Sequence, residues 1–211
     1  MGKHCLGMIL SLCLIAASVQ TQVPQQHHPP QSAEEYARVL EDPSRDQWQK
    51  PHEVVTALNL KSDEVVADIG AGTGYFARRF ARHAAKVYAV DIDDKLLAIA
   101  RQDAPANLET VLAAPNDPRL PAASVDTVFF CDVLHHIENR TAYYGKLAKA
   151  LKPKGRIVVI DFYKQPLPVG PRPEMKLSET AIIAEFKQAG FKLRSRSDIL
   201  PYQYFLTFVR R

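Results

Sequence analysis

Apolar positions change period several times along the chain, and each change marks an element. Val65–Ile69 is a short apolar run with β-branched residues, the pattern of a buried strand. Gly70, Gly72 and Gly74 follow at once. Phe76, Ala77, Phe80, Ala81 and Ala84 then share one face at helical spacing. Lys86–Val90 reads as a second strand ending in Asp91, and Asp94–Arg101 as a helix with Leu96, Leu97 and Ala100 facing inward, ended by Pro105. Leu108–Leu112 and Val125–Cys131 are the third and fourth strands. Tyr143, Tyr144, Leu147, Ala148 and Leu151 return to helical spacing, and Pro153 and Gly155 are expected to close that helix. Arg156–Asp161 is the fifth strand. Ser178 can cap a helix whose inner face is Ile182, Ile183 and Phe186, stopped by Gly190. Phe191–Ser197 and Tyr202–Val209 are strands joined by a short turn at Pro201. No helix fits between them, so they are expected to pair antiparallel. Upstream, Ala33–Glu41 and Pro51–Leu58 are short helices, the second with proline in its first turn.

Strands that alternate with helices predict an α/β fold. The expectation is a three-layer sandwich around a Rossmann-like, seven-stranded, mostly parallel sheet with an antiparallel C-terminal strand. A chain of 211 residues fits one such domain, here residues 33–211. The N-terminus differs in character. Met1–Gln22 has Lys3 followed by a mostly apolar stretch and then Ala16, Ala17 and Ser18, the outline of a secretory signal peptide. An uncleaved membrane anchor is the alternative, and a cytoplasmic protein results if the segment is inactive. The chain is therefore expected to be exported, or anchored through that segment alone. Residues 23–32, rich in Pro and Gln with His27 and His28, read as a linker. A cleaved chain would keep Cys131 alone, so no internal disulfide is expected. The net charge of +4 is scattered, which argues against nucleic acid as a partner. No metal is expected, because no ligands stand at metal spacing.

The chemistry centres on VVADIGAGTGYF. Strand, glycine turn and helix present backbone N–H groups and a positive helix end to a ligand. A dinucleotide fingerprint would be G-x-G-x-x-G. Here the spacing is G-x-G-x-G, with Tyr75 where the third glycine would stand. Asp91, at the tip of the second strand, is placed to accept hydrogen bonds from ribose hydroxyls. With VADIGAGTG, VYAVD, LPAASVDTVFFCDVLHHI and LKPKGRIVVID in this order, the sequence resembles the class I S-adenosylmethionine-dependent methyltransferases, in particular the small-molecule group called type 11. The resemblance runs from about Trp48 to the C-terminus.

It implies S-adenosylmethionine as cofactor and a small-molecule acceptor. The cofactor would lie against Gly70, Ala71, Gly72 and Gly74, its methionine amino group on Asp68 and its ribose on Asp91, with Ile92 and Asp132 beside it. The acidic position that usually contacts adenine is Ala114 here, so Asn116 and Asp117 are the nearby groups able to take that part. Turn formation before Pro118 is their plainer use. His135 and His136 follow the fourth strand and are candidate general bases, with His136 the one expected to face the pocket. Trp48, in a segment that could form a helical lid, and Tyr163, in the Pro-rich stretch after the fifth strand, are candidate substrate contacts. A non-catalytic binder of the same cofactor and a nicotinamide-dependent oxidoreductase are the competing readings.

Overall fold

A computed structural model of the protein describes residues 32–211. The expectations for 1–22 and for all of the 23–32 linker but its last residue fall outside the described residues.

The elements run α1 (Ala33–Leu40), α2 (Arg45–Gln49), α3 (Pro51–Leu58), β1 (Val65–Ile69), α4 (Ala77–Phe80), β2 (Lys86–Asp91), α5 (Asp94–Arg101), β3 (Leu108–Leu112), β4 (Val125–Cys131), α6 (Arg140–Ala150), β5 (Leu151–Phe162), α7 (Glu179–Gln188), β6 (Phe191–Ser197) and β7 (Gln203–Arg210). One sheet orders them β3-β2-β1-β4-β5-β7-β6. The first five strands in that order are parallel, and β7 runs antiparallel to both β5 and β6. The chain reverses direction between β1–β3 and β4–β5, so a crevice opens at the carboxyl ends of β1 and β4.

Alternation along the strands sorts the core into two faces. Val66, Val87, Phe129 and Val158 point toward α3 and α4; Ala67, Tyr88, Val128 and Ile157 point toward α6 and α7. The first face is held by three rings. Phe129 meets Phe76 and Phe80 edge-on at 5.0 and 4.9 Å. Among the described residues no helix is long and apolar enough to cross a membrane.

Two expected boundaries are corrected. The helix after the glycine turn is a single turn, Ala77–Phe80, rather than a run to Ala84. Asn107 reaches across to hold its end, donating from Nδ2 to the carbonyls of Ala81 and Ala84 at 2.9 Å each. The fifth strand starts at Leu151, not Arg156, so Pro153 and Gly155 lie inside it. Leu151 pairs with Val125, and a register irregularity between Val125 and Thr127 absorbs the intervening residues. Lys152 Nζ secures the bulge on Asp126 at 2.6 Å.

Candidate active site

The glycine turn is shaped by what approaches it. Gly70, Gly72 and Gly74 all have positive φ, at 71°, 54° and 89°. A Cβ on Gly70 would stand 2.2 Å from Cγ2 of Val133, in the loop after β4. A Cβ on Gly72 would stand 2.9 Å from Cδ1 of Leu40 on α1. The N–H groups of Gly70 and Ala71 both donate to the Val90 carbonyl, which ties the turn to the end of β2.

Asp91 sits at that end. Its Oδ2 accepts from the Gly72 N–H at 2.8 Å, and its Oδ1 from the Asp93 N–H at 3.0 Å. Each oxygen keeps a further lone pair, so the carboxylate can still accept two hydroxyl donors. Burial holds its pKa above the ordinary value, against the backbone N–H groups of Asp93, Gly72 and Ile92. Ile92 follows as a large apolar side chain left 63% exposed, a flat surface beside the carboxylate. Asp68 is buried behind the turn. Burial lifts its pKa from 3.8 to about 8, opposed by the Ala77 N–H and the Arg45 guanidinium.

The segment before β1 packs over this turn. Glu41 accepts from the Thr73 hydroxyl, and Asp46 from the Tyr75 hydroxyl. The Arg45 guanidinium lies 4.1 Å from the centre of the Tyr75 ring, with Arg79 at 4.0 Å. Tyr75, the residue that breaks the dinucleotide spacing, is thus buried under α2.

The other half of the edge gathers residues from four elements. Asp132, at the tip of β4 with φ 60°, accepts from Gln203 Nε2 at 2.6 Å. Gln203, the first residue of β7, is paired with Gln49 of α2, whose Nε2 donates to its Oε1 at 2.9 Å. Burial and then the neighbouring Asp161 push the Asp132 carboxyl above its usual range, against Arg45, Gln203 and His135. His135 and Asp161 form a dyad with Nδ1 to Oδ1 at 3.0 Å, their side chains 3% and 0% exposed. Burial disfavours the imidazolium, yet the hydrogen bond and charge of Asp161 win and the His135 pKa is raised. Lys176 is buried nearby. Its Nζ donates to the Gln165 carbonyl at 2.8 Å and lies 5.5 Å from the Phe162 ring centre.

The expected residues therefore divide. Asp68, Gly70, Ala71, Gly72, Gly74, Asp91 and Ile92 gather at one end of the crevice. Asp132 and His135 stand at the other. His136, expected to face the pocket, is exposed, its ring 4.2 Å from that of His135; the neighbour is the one that turns inward. Asn116 is exposed, and Asp117 is engaged by Lys146 Nζ and the Arg119 N–H, each at 2.8 Å, which lowers its pKa. Trp48 lies 5.8 Å from Phe162. Tyr163 packs against the α6–α7 core, its ring 6.1 Å from Tyr204. Arg45 and Gln49 belong to the segment expected as a lid; Asp161, Gln203 and Lys176 were not among the expected site residues. Asp161 had a readable cue, because it ends a strand as Asp91 does and as Asp132 nearly does. Gln203 had none, since only the antiparallel return of β7 carries its first residue to this edge.

Known proteins bear on this arrangement. Residues 67–159 match the family model described as a methyltransferase domain. A demethylmenaquinone methyltransferase of Tropheryma whipplei is 34% identical over 106 residues, 50% of this chain and 44% of that protein. Phosphoethanolamine N-methyltransferase 1 of Arabidopsis thaliana is 28% identical over 121 residues, 54% of this chain and 24% of that protein. The chain thus spans less than half the length of these curated relatives. Its fold is shared with a SAM-dependent methyltransferase from Aquifex aeolicus at TM-score 0.78 and 24% identity, over 84% of this chain and 98% of that one. It is shared too with the DhpI–SAH complex, at TM-score 0.68 and 21% identity over 84% and 91%. The similarity over residues 67–159 is to methyltransferase domains, and the fold is the one found in these solved methyltransferases.

Proposed function

We propose that the protein transfers a methyl group from S-adenosylmethionine to a small-molecule acceptor. The observation that carries this reading is Asp91, braced by the Gly72 and Asp93 N–H groups and still able to accept two hydroxyls. That suits a ribose held by both hydroxyls, with its adenine against Ile92. Asp68, buried behind the glycine turn, would take the methionine ammonium. The bound donor supplies an already activated methyl group on a sulfonium. The remaining work is to align the acceptor, exclude water and accept a proton.

His135 is the group assigned to the proton. Helices α1 and α2 act as the lid, with Trp48 and Phe162 on its acceptor side. Asn116 remains a candidate for the adenine edge, whereas Asp117 would first have to leave Lys146. The segment 1–22 is proposed as an export signal, which the mass of the chain recovered outside the cytoplasm would test.

The test of the function is calorimetric titration of the chain lacking Met1–Gln22 with S-adenosylhomocysteine, with NADH in parallel. Binding of the first, lost in Asp91→Ala, is expected. Heat with NADH alone would put an oxidoreductase in its place.

A further inference from the structure

Asp161 and His135 are the most deeply buried charged pair at the carboxyl edge, and nothing in the cofactor half needs them. Asp161 is held from three sides. It is locked in β5, its Oδ1 accepts from the Phe162 N–H at 2.8 Å, and both oxygens lie 3.0–3.1 Å from His135 Nδ1. A carboxylate fixed in that way keeps the proton of a neutral imidazole on Nδ1. Nε2 is then the basic nitrogen.

We propose that Asp161 is a positioning residue that makes His135 Nε2 the proton acceptor, and that the acceptor molecule bears a phenol-type hydroxyl. This rests on the methyltransferase reading. In the step, the hydroxyl oxygen forms a bond to the methyl carbon while the carbon–sulfur bond breaks and its electron pair stays on sulfur. The hydroxyl proton passes to Nε2. The products are a methyl ether, S-adenosylhomocysteine and a His135 imidazolium paired with Asp161.

The surrounding charges favour an oxygen acid over an amine. His135 faces Asp161 from β5, Asp132 from the tip of β4, Lys176 from the segment before α7, and the His136 ring. Once His135 is protonated it neutralises Asp161. Asp132 is balanced by Arg45 and Gln203. Lys176, 1% exposed with Nζ beside Phe162, is left as the uncompensated cation. A buried cation left in this way stabilises a developing phenolate. Trp48, half-buried and backed by Phe162 at 5.8 Å, is the aromatic side chain that a ring acceptor would meet.

The test uses the complex with S-adenosylhomocysteine and para-nitrophenol, whose phenolate is coloured. Bound probe is expected to ionise at a pH below its solution value. His135→Gln should abolish that shift, and Asp161→Asn should move the ionisation toward the solution value by about one pH unit, with S-adenosylhomocysteine affinity unchanged in both. Carbon-detected titration of the His135 ring should show its pKa falling in Asp161→Asn. The proposal is overturned if the probe fails to bind the complex, binds without ionising early, or ionises identically in Asp161→Asn. It is equally overturned if an aliphatic amine of similar size displaces the probe and, with S-adenosylmethionine in place of S-adenosylhomocysteine, is methylated. Failure of S-adenosylhomocysteine to bind the unmodified chain would instead remove the methyltransferase reading itself.

Discussion

The two halves of the crevice are built in different ways. The half proposed for the cofactor is local. Strand, glycine turn and Asp91 lie within one β-α-β passage, and its key hydrogen bond joins Gly72 to a residue 19 positions away. The half proposed for the acceptor is assembled from distance. Asp132 reaches Gln203 across 71 positions, and Gln203 reaches Gln49 across 154. A group common to all acceptors of a fold, the methyl donor, can be served by a compact motif. A particular acceptor is served by whatever loops and strand ends the fold brings to the opposite side.

Gly70 joins the halves, because Val133 of the acceptor side packs where its Cβ would be. Gly70→Ala is therefore expected to have the largest effect, a loss of roughly 2–5 kcal/mol from the positive φ and the clash together, read from urea midpoints. Val133→Ala in the same chain should recover part of it. No recovery would mean that the halves are not in contact as described.

Asp91→Ala separates them. It should weaken S-adenosylhomocysteine about 10- to 100-fold, as the loss of charge-assisted hydrogen bonds implies, while leaving the thermal midpoint little changed. Equal losses in binding and stability would make Asp91 a structural brace of the turn.

On the acceptor side, Gln49→Leu and Gln203→Leu should couple by about 1 kcal/mol in a double-mutant cycle, because either alone strands a buried amide. Each should also speed proteolysis within residues 33–50. Additive effects would mean that the lid is not held by this pair.

Asp68 gives the cofactor half a pH signature. Its pKa is about 8 when folded against 3.8 ordinarily, so the folded chain holds a proton that the unfolded chain releases. Its contribution to stability is full below about pH 4 and is lost as pH rises through about 8. His135, also raised, acts in the same direction. An ammonium bound at Asp68 would favour the carboxylate. S-adenosylhomocysteine is thus expected to release close to one proton per site near neutrality, measured by calorimetry in buffers of different ionisation enthalpy. Asp68→Asn should remove it.

The smallest effect is expected at Asn116, whose side chain is exposed. Asn116→Ala should change cofactor affinity by about two-fold or less, the usual scale for a surface site. A larger loss would assign it the adenine edge.

Much of this was legible in the chain itself. The seven strands, the antiparallel return and the glycine turn follow from period, β-branching and the punctuation of Gly and Pro. These are local properties, set by sterics and by which face must leave water. The grouping of the glycine turn with Asp91 was legible for the same reason, since both adjoin the strand ends that position them; Asn116, Asp117 and Asp132 fell elsewhere. The expected helix to Ala84 and the late start of β5 failed where tertiary partners overrode local cues, Asn107 at one site and Val125 at the other. Which of two adjacent histidines turns inward is undecided by periodicity in a short loop. Asp161, on a neighbouring strand, decides it for His135. Gln203 and Lys176 have no local mark at all, because their burial and partners exist only once β7 runs back beside β5 and the Pro-rich segment folds over Phe162. Chain order determined the scaffold and the proposed donor site; the proximity of residues remote in sequence, which only the folded sheet creates, determined the proposed acceptor site.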